Sequence, residues 1–193
     1  MTQHRTFIAV EVSDETRRRL ADLQEQMRSA GARLRWVRPA NLHFTLRFLS
    51  EISAAHVARA TAVTREVARA GAPFSITIAG LGAFPTFERP RVVWVGTTEG
   101  AEALEHLAAA LARALARAGF PADQRRFRPH LTLGRARDER QWGDLVRVLH
   151  RFRSVVIGPE HVRALTVMES RLTPEGPIYT PWEQVFLGQG LNS

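Results

Sequence analysis

The sequence predicts a fold of two related lobes, each of which contains both strands and helices. Three observations support this prediction. Short apolar segments of strand length alternate with amphipathic helical segments, and the order strand–helix–strand–helix–strand occurs twice. The two halves share a short sequence motif, which occurs at residues 38–46 and again at residues 128–133. No low-complexity linker separates them. We therefore expect one bilobal domain over residues 1–193, with a first half of about 1–90 and a second of about 91–193.

Each repeat can be followed along the chain. In the first, Ser13 and Ser53 are predicted N-caps of two helices that end near Gly31 and Gly71, and the strands lie at residues 7–10, 42–49 and 74–79. The second has helices at 99–118 and 138–149 and strands at 92–95, 130–133 and 155–157. Two more strands are predicted at 163–168 and 180–186. Glycine and proline in residues 80–90 predict a long loop.

Composition excludes several kinds of chemistry. The 193 residues carry a formal net charge of +8, and all 27 basic residues are arginine, since the chain has neither lysine nor cysteine. Without lysine there is no Schiff base, lysyl-nucleotide intermediate or P-loop lysine. Without cysteine there is no thiolate nucleophile, disulfide or cysteine-ligated metal. Catalysis therefore has to use histidine, carboxylate, hydroxyl or arginine groups, or a metal held by nitrogen and oxygen.

The excess of arginine indicates an anionic partner, because the planar guanidinium binds phosphate oxygens in pairs. The apolar runs are too short to span a bilayer, so no membrane association is expected. The N-terminus leads directly into a strand-like segment without a signal-peptide pattern. We therefore expect a cytoplasmic protein.

Two copies of His-x-Thr-Leu, beginning at His43 and His130, are the strongest functional signal. In a strand, residues i and i+2 point to the same face, so His43 shares a face with Thr45, and His130 with Thr132. The leucine and phenylalanine neighbours point to the other face, towards the core. Two such faces across a cleft would bring together two imidazoles, which can act as general acid and general base. The threonine hydroxyls can donate to phosphoryl oxygens.

With these residues the sequence resembles the 2H phosphoesterase superfamily, in its branch of RNA 2′,3′-cyclic phosphodiesterases, also called 2′-5′ RNA ligases. The resemblance extends over nearly the whole chain, through residues 7–10, 35–39, 80–85, 89–96, 127–133 and 169–172. The sequence departs from the family pattern at two positions. Phe44 stands where a smaller aliphatic residue is common, and Ser50 replaces the glycine of the usual Leu-Gly-Glu segment.

The resemblance implies an α+β fold of two pseudo-symmetric lobes, each an antiparallel sheet with helices on its outer face, around a central catalytic cleft. Which lobe each terminal strand joins stays open from the sequence, and an exchange of terminal strands between the lobes is one possibility. The resemblance also implies opening of a 2′,3′-cyclic phosphate at an RNA end, such as that of a tRNA fragment, to a 2′-phosphate. His43 would be the general acid, His130 the general base, and Thr45 and Thr132 would hold the non-bridging oxygens.

No metal and no other cofactor is expected, and the protein is expected to be a monomer. With a 5′-hydroxyl RNA end in place of water, the same site would form a 2′-5′ linkage without ATP. Because lysine is missing, a covalent ATP-dependent ligation is excluded.

Two arginines are further candidates for binding the substrate. Arg135 stands at the family's arginine position, which suggests a phosphate contact. Strict alternation would turn it away from His130, and a bulge or a strand end at Gly134 could re-aim it. Arg47 lies four residues after His43, and alternation predicts it on the catalytic face, where it would either bind the RNA backbone or occupy a solvated edge position.

Other side chains near the motifs are weaker candidates. Phe7, Phe48 and Tyr179 could stack on an unpaired base, although core packing is the expected role of each. The run at residues 124–128 is a candidate basic rim for RNA.

Three alternatives stay open at this stage. The substrate could be a small cyclic phosphate rather than RNA, or the protein could be a non-catalytic module that binds RNA ends. A histidine-ligated metal hydrolase is disfavoured, because the two motif histidines offer too few ligands.

Overall fold

The structure is a computed structural model that describes residues 2–122, 127–138 and 142–189. Among these described residues, nine strands form one sheet in the order β7-β4-β5-β6-β3-β1-β8-β9, with β2 paired to β6, and every pairing is antiparallel. In chain order the elements are β1 (Gln3–Glu11), α1 (Asp14–Ser29), β2 (Leu34–Trp36), a 3-10 helix (Pro39–Asn41), β3 (His43–Ser53), α2 (Ala54–Ala70), β4 (Phe74–Pro85), β5 (Pro90–Thr97), α3 (Ala101–Arg117), β6 (His130–Ala136), α4 (Trp142–Arg151), β7 (Val156–Val162), β8 (Ala164–Thr173) and β9 (Gly176–Phe186).

The sheet divides into two lobes that meet where β3 pairs with β6, at Phe44 and Leu131. One lobe contains β3, β1, β8 and β9, and the other contains β6, β5, β4 and β7. The predicted repeat is present, since β1-α1-β3-α2-β4 is followed by β5-α3-β6-α4-β7. The α+β fold with antiparallel strands in two lobes is confirmed. Strand β4 joins the lobe of the second motif, and β8 and β9 join that of the first.

The helices cover one face of the sheet and bury its apolar side chains there. Helix α1 packs on β7 and α4 on β5, while α2 packs on β1, β3, β8 and β9 and on α3. Leu20, Leu23 and Met27 form the buried stripe of α1, as their spacing predicts. We call the opposite face of the sheet the cleft face.

Both predicted N-caps are confirmed. The Ser13 hydroxyl accepts a hydrogen bond from the backbone N–H of Thr16 at 3.3 Å, and Ser53 does the same for His56 at 3.4 Å. These bonds satisfy backbone donors that the first turn of a helix leaves without a partner. The Glu160 carboxylate ties the first cap to β7 by accepting from the Ser13 hydroxyl at 2.8 Å.

The predicted long loop at residues 80–90 is wrong. Strand β4 continues to Pro85, with a register shift between Ala79 and Leu81. Gly80 has a φ of +79° there, so it provides a bulge rather than the start of a loop. Helix α4 begins at Trp142, and residues 139–141 of its predicted span lie outside the described residues. None of the helices in the described part of the chain is long and apolar enough to cross a membrane.

Candidate active site

The first His-x-Thr motif opens β3, and its side chains alternate between the two faces as predicted. Phe44 and Leu46 are buried in the core beneath the helices. His43 and Thr45 lie on the cleft face, both half-buried. The strand therefore uses its apolar residues for folding and presents an imidazole and a hydroxyl to the cleft.

Two hydrogen bonds fix the ring of His43. Its Nδ1 lies 2.7 Å from the carbonyl oxygen of Asn41, and since a carbonyl only accepts, Nδ1–H is the donor. Its Nε2 lies 2.8 Å from Thr45 Oγ1, so the hydroxyl donates to the neutral ring. Nε2 is therefore the nitrogen that can exchange a proton with a substrate.

His130 repeats this arrangement in the second lobe. Its Nδ1–H donates to the carbonyl oxygen of Arg128 at 2.7 Å, again the residue two positions earlier in the chain. The two imidazoles thus have the same tautomer for the same reason, and in both the backbone hydrogen bond is made by Nδ1 and not by Nε2. Thr132 lies two residues further along β6, also half-buried.

Aromatic rings hold both imidazoles in place. Phe7 stacks on His43 with ring centroids 4.9 Å apart and planes inclined by 29°. Tyr179 meets His43 edge-on at 5.3 Å. On the other side, Phe84 meets His130 edge-on at 5.0 Å. Such packing restricts the orientation of each ring, and an acid–base pair has to be oriented to act.

The three aromatic candidates for base stacking differ in how far their side chains are exposed. Phe7 is only 1% exposed, so it packs in the sheet as expected. Phe48 lies opposite Phe7 in the register and is 54% exposed, which contradicts core packing for this residue. Tyr179 is half-buried against Phe7, and burial raises the pKa of its phenol.

Burial and local charge act differently on the two histidines. Burial lowers the pKa of both below the ordinary value of 6.5, because an imidazolium loses hydration there. The carboxylate of Glu11 acts in the opposite direction on His43 and raises its pKa. The guanidinium of Arg135 lowers the pKa of His130 further. The neighbouring charges therefore favour the cationic form at His43 and the neutral form at His130.

Glu11 is a site residue that the sequence did not predict. It lies directly opposite His43 in the β1–β3 register. Its Oε2 accepts hydrogen bonds from the Thr166 hydroxyl at 2.8 Å and from the Gln184 amide at 3.3 Å. The pairing of β1 with β3 would have identified it, because cross-strand partners share a face.

Arg135 lies on the cleft face because β6 contains the expected bulge. Successive residues of β5 pair with Thr132 and Gly134, which leaves Leu133 as the extra residue. The bulge shifts the alternation by one position, so Arg135 shares the face of His130. Its side chain is exposed, and its charge acts on the pKa of His130.

Arg47 lies on the other side of the sheet, so its predicted position on the catalytic face is wrong. Successive residues of β1 pair with Thr45 and Arg47, and Leu46 is the extra residue of a second bulge. Arg47 consequently turns towards the core and is 8% exposed. Its Nη2 donates to the carbonyl oxygen of Pro121. No glycine marks this bulge, so alternation alone could not place the side chain.

Two further points concern ligands and the candidate basic rim. Within residues 2–122, 127–138 and 142–189, no group of three or more histidine, aspartate or glutamate side chains is arranged to hold a metal ion. Residues 124–126 of the predicted basic rim lie outside the described residues.

Comparison with known proteins gives a consistent result. The model of the family described as LigT like Phosphoesterase matches twice, over residues 10–94 and 95–179. A relative named RNA 2′,3′-cyclic phosphodiesterase from Aquifex aeolicus is 38% identical over 80% of this chain and 82% of its own. One of the same name from Methanothermobacter thermautotrophicus is 35% identical over 93% of this chain and 96% of its own.

Solved structures agree with the sequence matches. A crystal structure of a Thermus thermophilus protein superposes with a TM-score of 0.80 at 30% identity, over 95% of this chain and 98% of that one. Escherichia coli LigT in complex with 3′-AMP gives a TM-score of 0.74 at 25% identity, over 98% of this chain and all of that one.

Paired His-x-Thr motifs on adjoining strands of two repeated lobes are the defining feature of the 2H phosphoesterase class. Within that class, this chain belongs to the LigT-like phosphoesterase family.

Proposed function

We propose that the protein hydrolyses 2′,3′-cyclic phosphates at RNA ends to 2′-phosphates, by general acid–base catalysis with two histidines and without a metal. The observation that carries the proposal is the matched geometry of His43 and His130. Each ring donates its Nδ1 proton to the backbone carbonyl two residues earlier and leaves Nε2 for the reaction. Their separation is small enough for the charge of His130 to act on the pKa of His43.

The hydrolysis is a single displacement at phosphorus. Neutral His130 takes a proton from water through Nε2 as the water oxygen forms its bond to phosphorus. The bond from phosphorus to the 3′ oxygen breaks, and Nε2–H of cationic His43 gives its proton to that oxygen. The product carries a 3′-hydroxyl and a 2′-phosphate, and one proton transfer between the histidines through solvent restores the starting state.

The charges beside each ring support this division of roles. A general acid has to be protonated when the substrate binds, and the Glu11 carboxylate favours the protonated form of His43. A general base has to be neutral, and the Arg135 guanidinium favours neutral His130. The bound phosphate adds negative charge near both rings, which offsets the lowering of the pKa by burial.

The hydroxyls of Thr45 and Thr132 are the proposed donors to the two non-bridging phosphate oxygens. Each lies two residues after its histidine on the same strand face, which supports this role. Arg135 balances the charge that develops on these oxygens. If a 5′-hydroxyl RNA end replaces water as the nucleophile, the same steps produce a 2′-5′ linkage.

Kinetics of alanine variants tests this function. We expect His43→Ala and His130→Ala each to lower kcat on an oligonucleotide with a 2′,3′-cyclic phosphate end by roughly 10²- to 10⁴-fold. His106→Ala, on α3, is the matched control and should retain the activity. Wild-type turnover in both motif variants, with binding retained, would instead identify a non-catalytic RNA-end module. Loss of wild-type activity in EDTA and its recovery with added metal would overturn the metal-independent mechanism.

A further inference from the structure

Two arginines lie directly opposite each other where β2 pairs with β6. The register joins Arg35 to Arg135, and both side chains are exposed. Directly opposed residues in an antiparallel pair share a face with Cβ atoms about 5 Å apart, and like charges there are unfavourable. An arrangement of this kind is stabilised when an anion lies between or above the two guanidinium groups.

The shared face is the cleft face. On β2, Leu34 is buried and Trp36 packs on the core, so Arg35 between them points to the opposite side. Arg135 reaches this side through the bulge at Leu133. Its charge acts on the pKa of both His130 and Tyr179, which places the guanidinium beside the reacting groups.

No carboxylate of the described residues pairs with either of these two guanidinium groups. Within the part of the chain that the structure describes, the side chains of Arg35 and Arg135 form no hydrogen bond and no ion pair, although their backbones are paired in the sheet. The arginines on the helices differ, because several of them pair with acidic side chains: Arg19 with Glu15, Arg28 with Glu25, Arg65 with Glu183, and Arg147 with Asp144. The uncompensated positive charge is thus next to the catalytic histidines.

We propose that Arg35 forms a second phosphate subsite, which binds the phosphodiester on the 5′ side of the terminal nucleotide. The inference rests on the proposed function and names the part of the RNA that the cleft recognises. Arg135 is on the strand that carries His130, so it lies nearer the reacting phosphate. Arg35 is one strand further away, by about 4.8 Å. A substrate with at least one internucleotide phosphate would engage both guanidinium groups, whereas a cyclic mononucleotide would engage only Arg135.

The test compares an oligoribonucleotide ending in a 2′,3′-cyclic phosphate with a nucleoside 2′,3′-cyclic monophosphate. The readout is the kcat/KM for the oligoribonucleotide divided by the kcat/KM for the cyclic mononucleotide. This ratio is measured in wild type and in Arg35→Gln. We expect this ratio to fall by roughly tenfold in the variant, as for loss of one charged hydrogen bond. The slope of log kcat/KM against log salt for the oligonucleotide should become shallower by about 0.7, the value for one phosphate of a single strand.

Arg113→Gln removes the same charge from the exposed surface of α3 and is the matched control, with no expected change in the ratio. An Arg35→Gln ratio equal to that of the control, or an equal loss on both substrates, would overturn the subsite. Equilibrium binding of an oligonucleotide and a nucleoside that each end in a 2′-phosphate repeats the comparison without turnover. If wild type opens neither cyclic phosphate but Arg35→Gln weakens oligonucleotide binding selectively, the proposed function fails and the subsite stands.

Discussion

Glu11 and His43 face each other directly across the β1–β3 pair, and the charge of the Glu11 carboxylate raises the pKa of the His43 imidazole. Hydrogen bonds from Thr166 and Gln184 hold that carboxylate in position. Burial alone would leave both histidines mainly neutral at neutral pH. The charge of Glu11 thus favours the protonated imidazole at His43, which is the form that the proposed general acid requires.

Replacing this carboxylate tests the assignment of the acid. In Glu11→Gln the amide oxygen still accepts from Thr166, but the negative charge is gone. The pKa of His43 should fall, so the alkaline limb of the kcat/KM profile moves to lower pH. We expect the rate at pH 8 to drop by roughly tenfold, with a smaller loss at acidic pH. Glu102→Gln, on the exposed surface of α3, is the control. An unshifted limb would show that Glu11 does not set the protonation of His43.

The wild-type pH dependence is a second prediction. Activity should fall as the pH rises through the pKa of His43, because the general acid loses its proton. Activity should also fall as the pH decreases through the pKa of His130, because the general base becomes protonated. Both values lie below 6.5 in the free enzyme, so the bell for kcat/KM should be centred on the acid side of 6.5. The bell-shaped profile of kcat should lie at higher pH, since the bound phosphate raises the pKa values of both histidines. A profile with a single limb would contradict the two-imidazole mechanism, whose apparent pKa values belong to the pair.

Gly82 is required by the packing around His130. It pairs directly with Trp94, and a Cβ on Gly82 would lie 2.1 Å from Trp94 Cζ2. Trp94 in turn contacts His130, with ring centroids 6.1 Å apart. We expect Gly82→Ala to lower the free energy of unfolding by about 1–3 kcal/mol and to reduce kcat by roughly tenfold.

Denaturant unfolding and steady-state kinetics measure these two effects. Gly143→Ala is the control, since a Cβ there meets nothing within 4 Å and the residue lies in α4. This control should be as stable as wild type or more stable. Equal stability and activity in the two alanine variants would mean that the Trp94 ring moves aside without cost.

Ser50 holds a backbone conformation that favours glycine. Its φ is +60°, in the left-handed region, and the family resemblance has glycine at this position. Ser50→Gly should therefore raise the free energy of unfolding by about 1 kcal/mol. Ser50→Ala keeps the Cβ and the strain while removing the hydroxyl, so it should give no such gain. A similar gain in both variants would assign the effect to the hydroxyl rather than to the backbone.

The sequence predicted those parts of the site that depend on local periodicity. In both motifs the apolar and polar residues alternate along one strand, so the faces of His43 and His130 followed without knowledge of the sheet. Gly134 marked the bulge that re-aims Arg135, because glycine is frequent at such positions.

The remaining parts of the site depend on pairings between distant segments. The bulge at Leu46 that turns Arg47 towards the core carries no residue signal, and it arises from the pairing of β3 with β1. Glu11 becomes a site residue only through the same pairing. Strand β2 has three residues, too few to show a period of two, so its pairing of Arg35 with Arg135 was not predictable.

End-group analysis of the product tests the central claim most directly. An oligoribonucleotide with a 2′,3′-cyclic phosphate end is incubated with the protein, and the position of the phosphate on the product is determined. Protonation of the 3′ oxygen by His43 predicts a 2′-phosphate and a free 3′-hydroxyl. A 3′-phosphate product, or a cyclic phosphate that remains intact, would contradict the account.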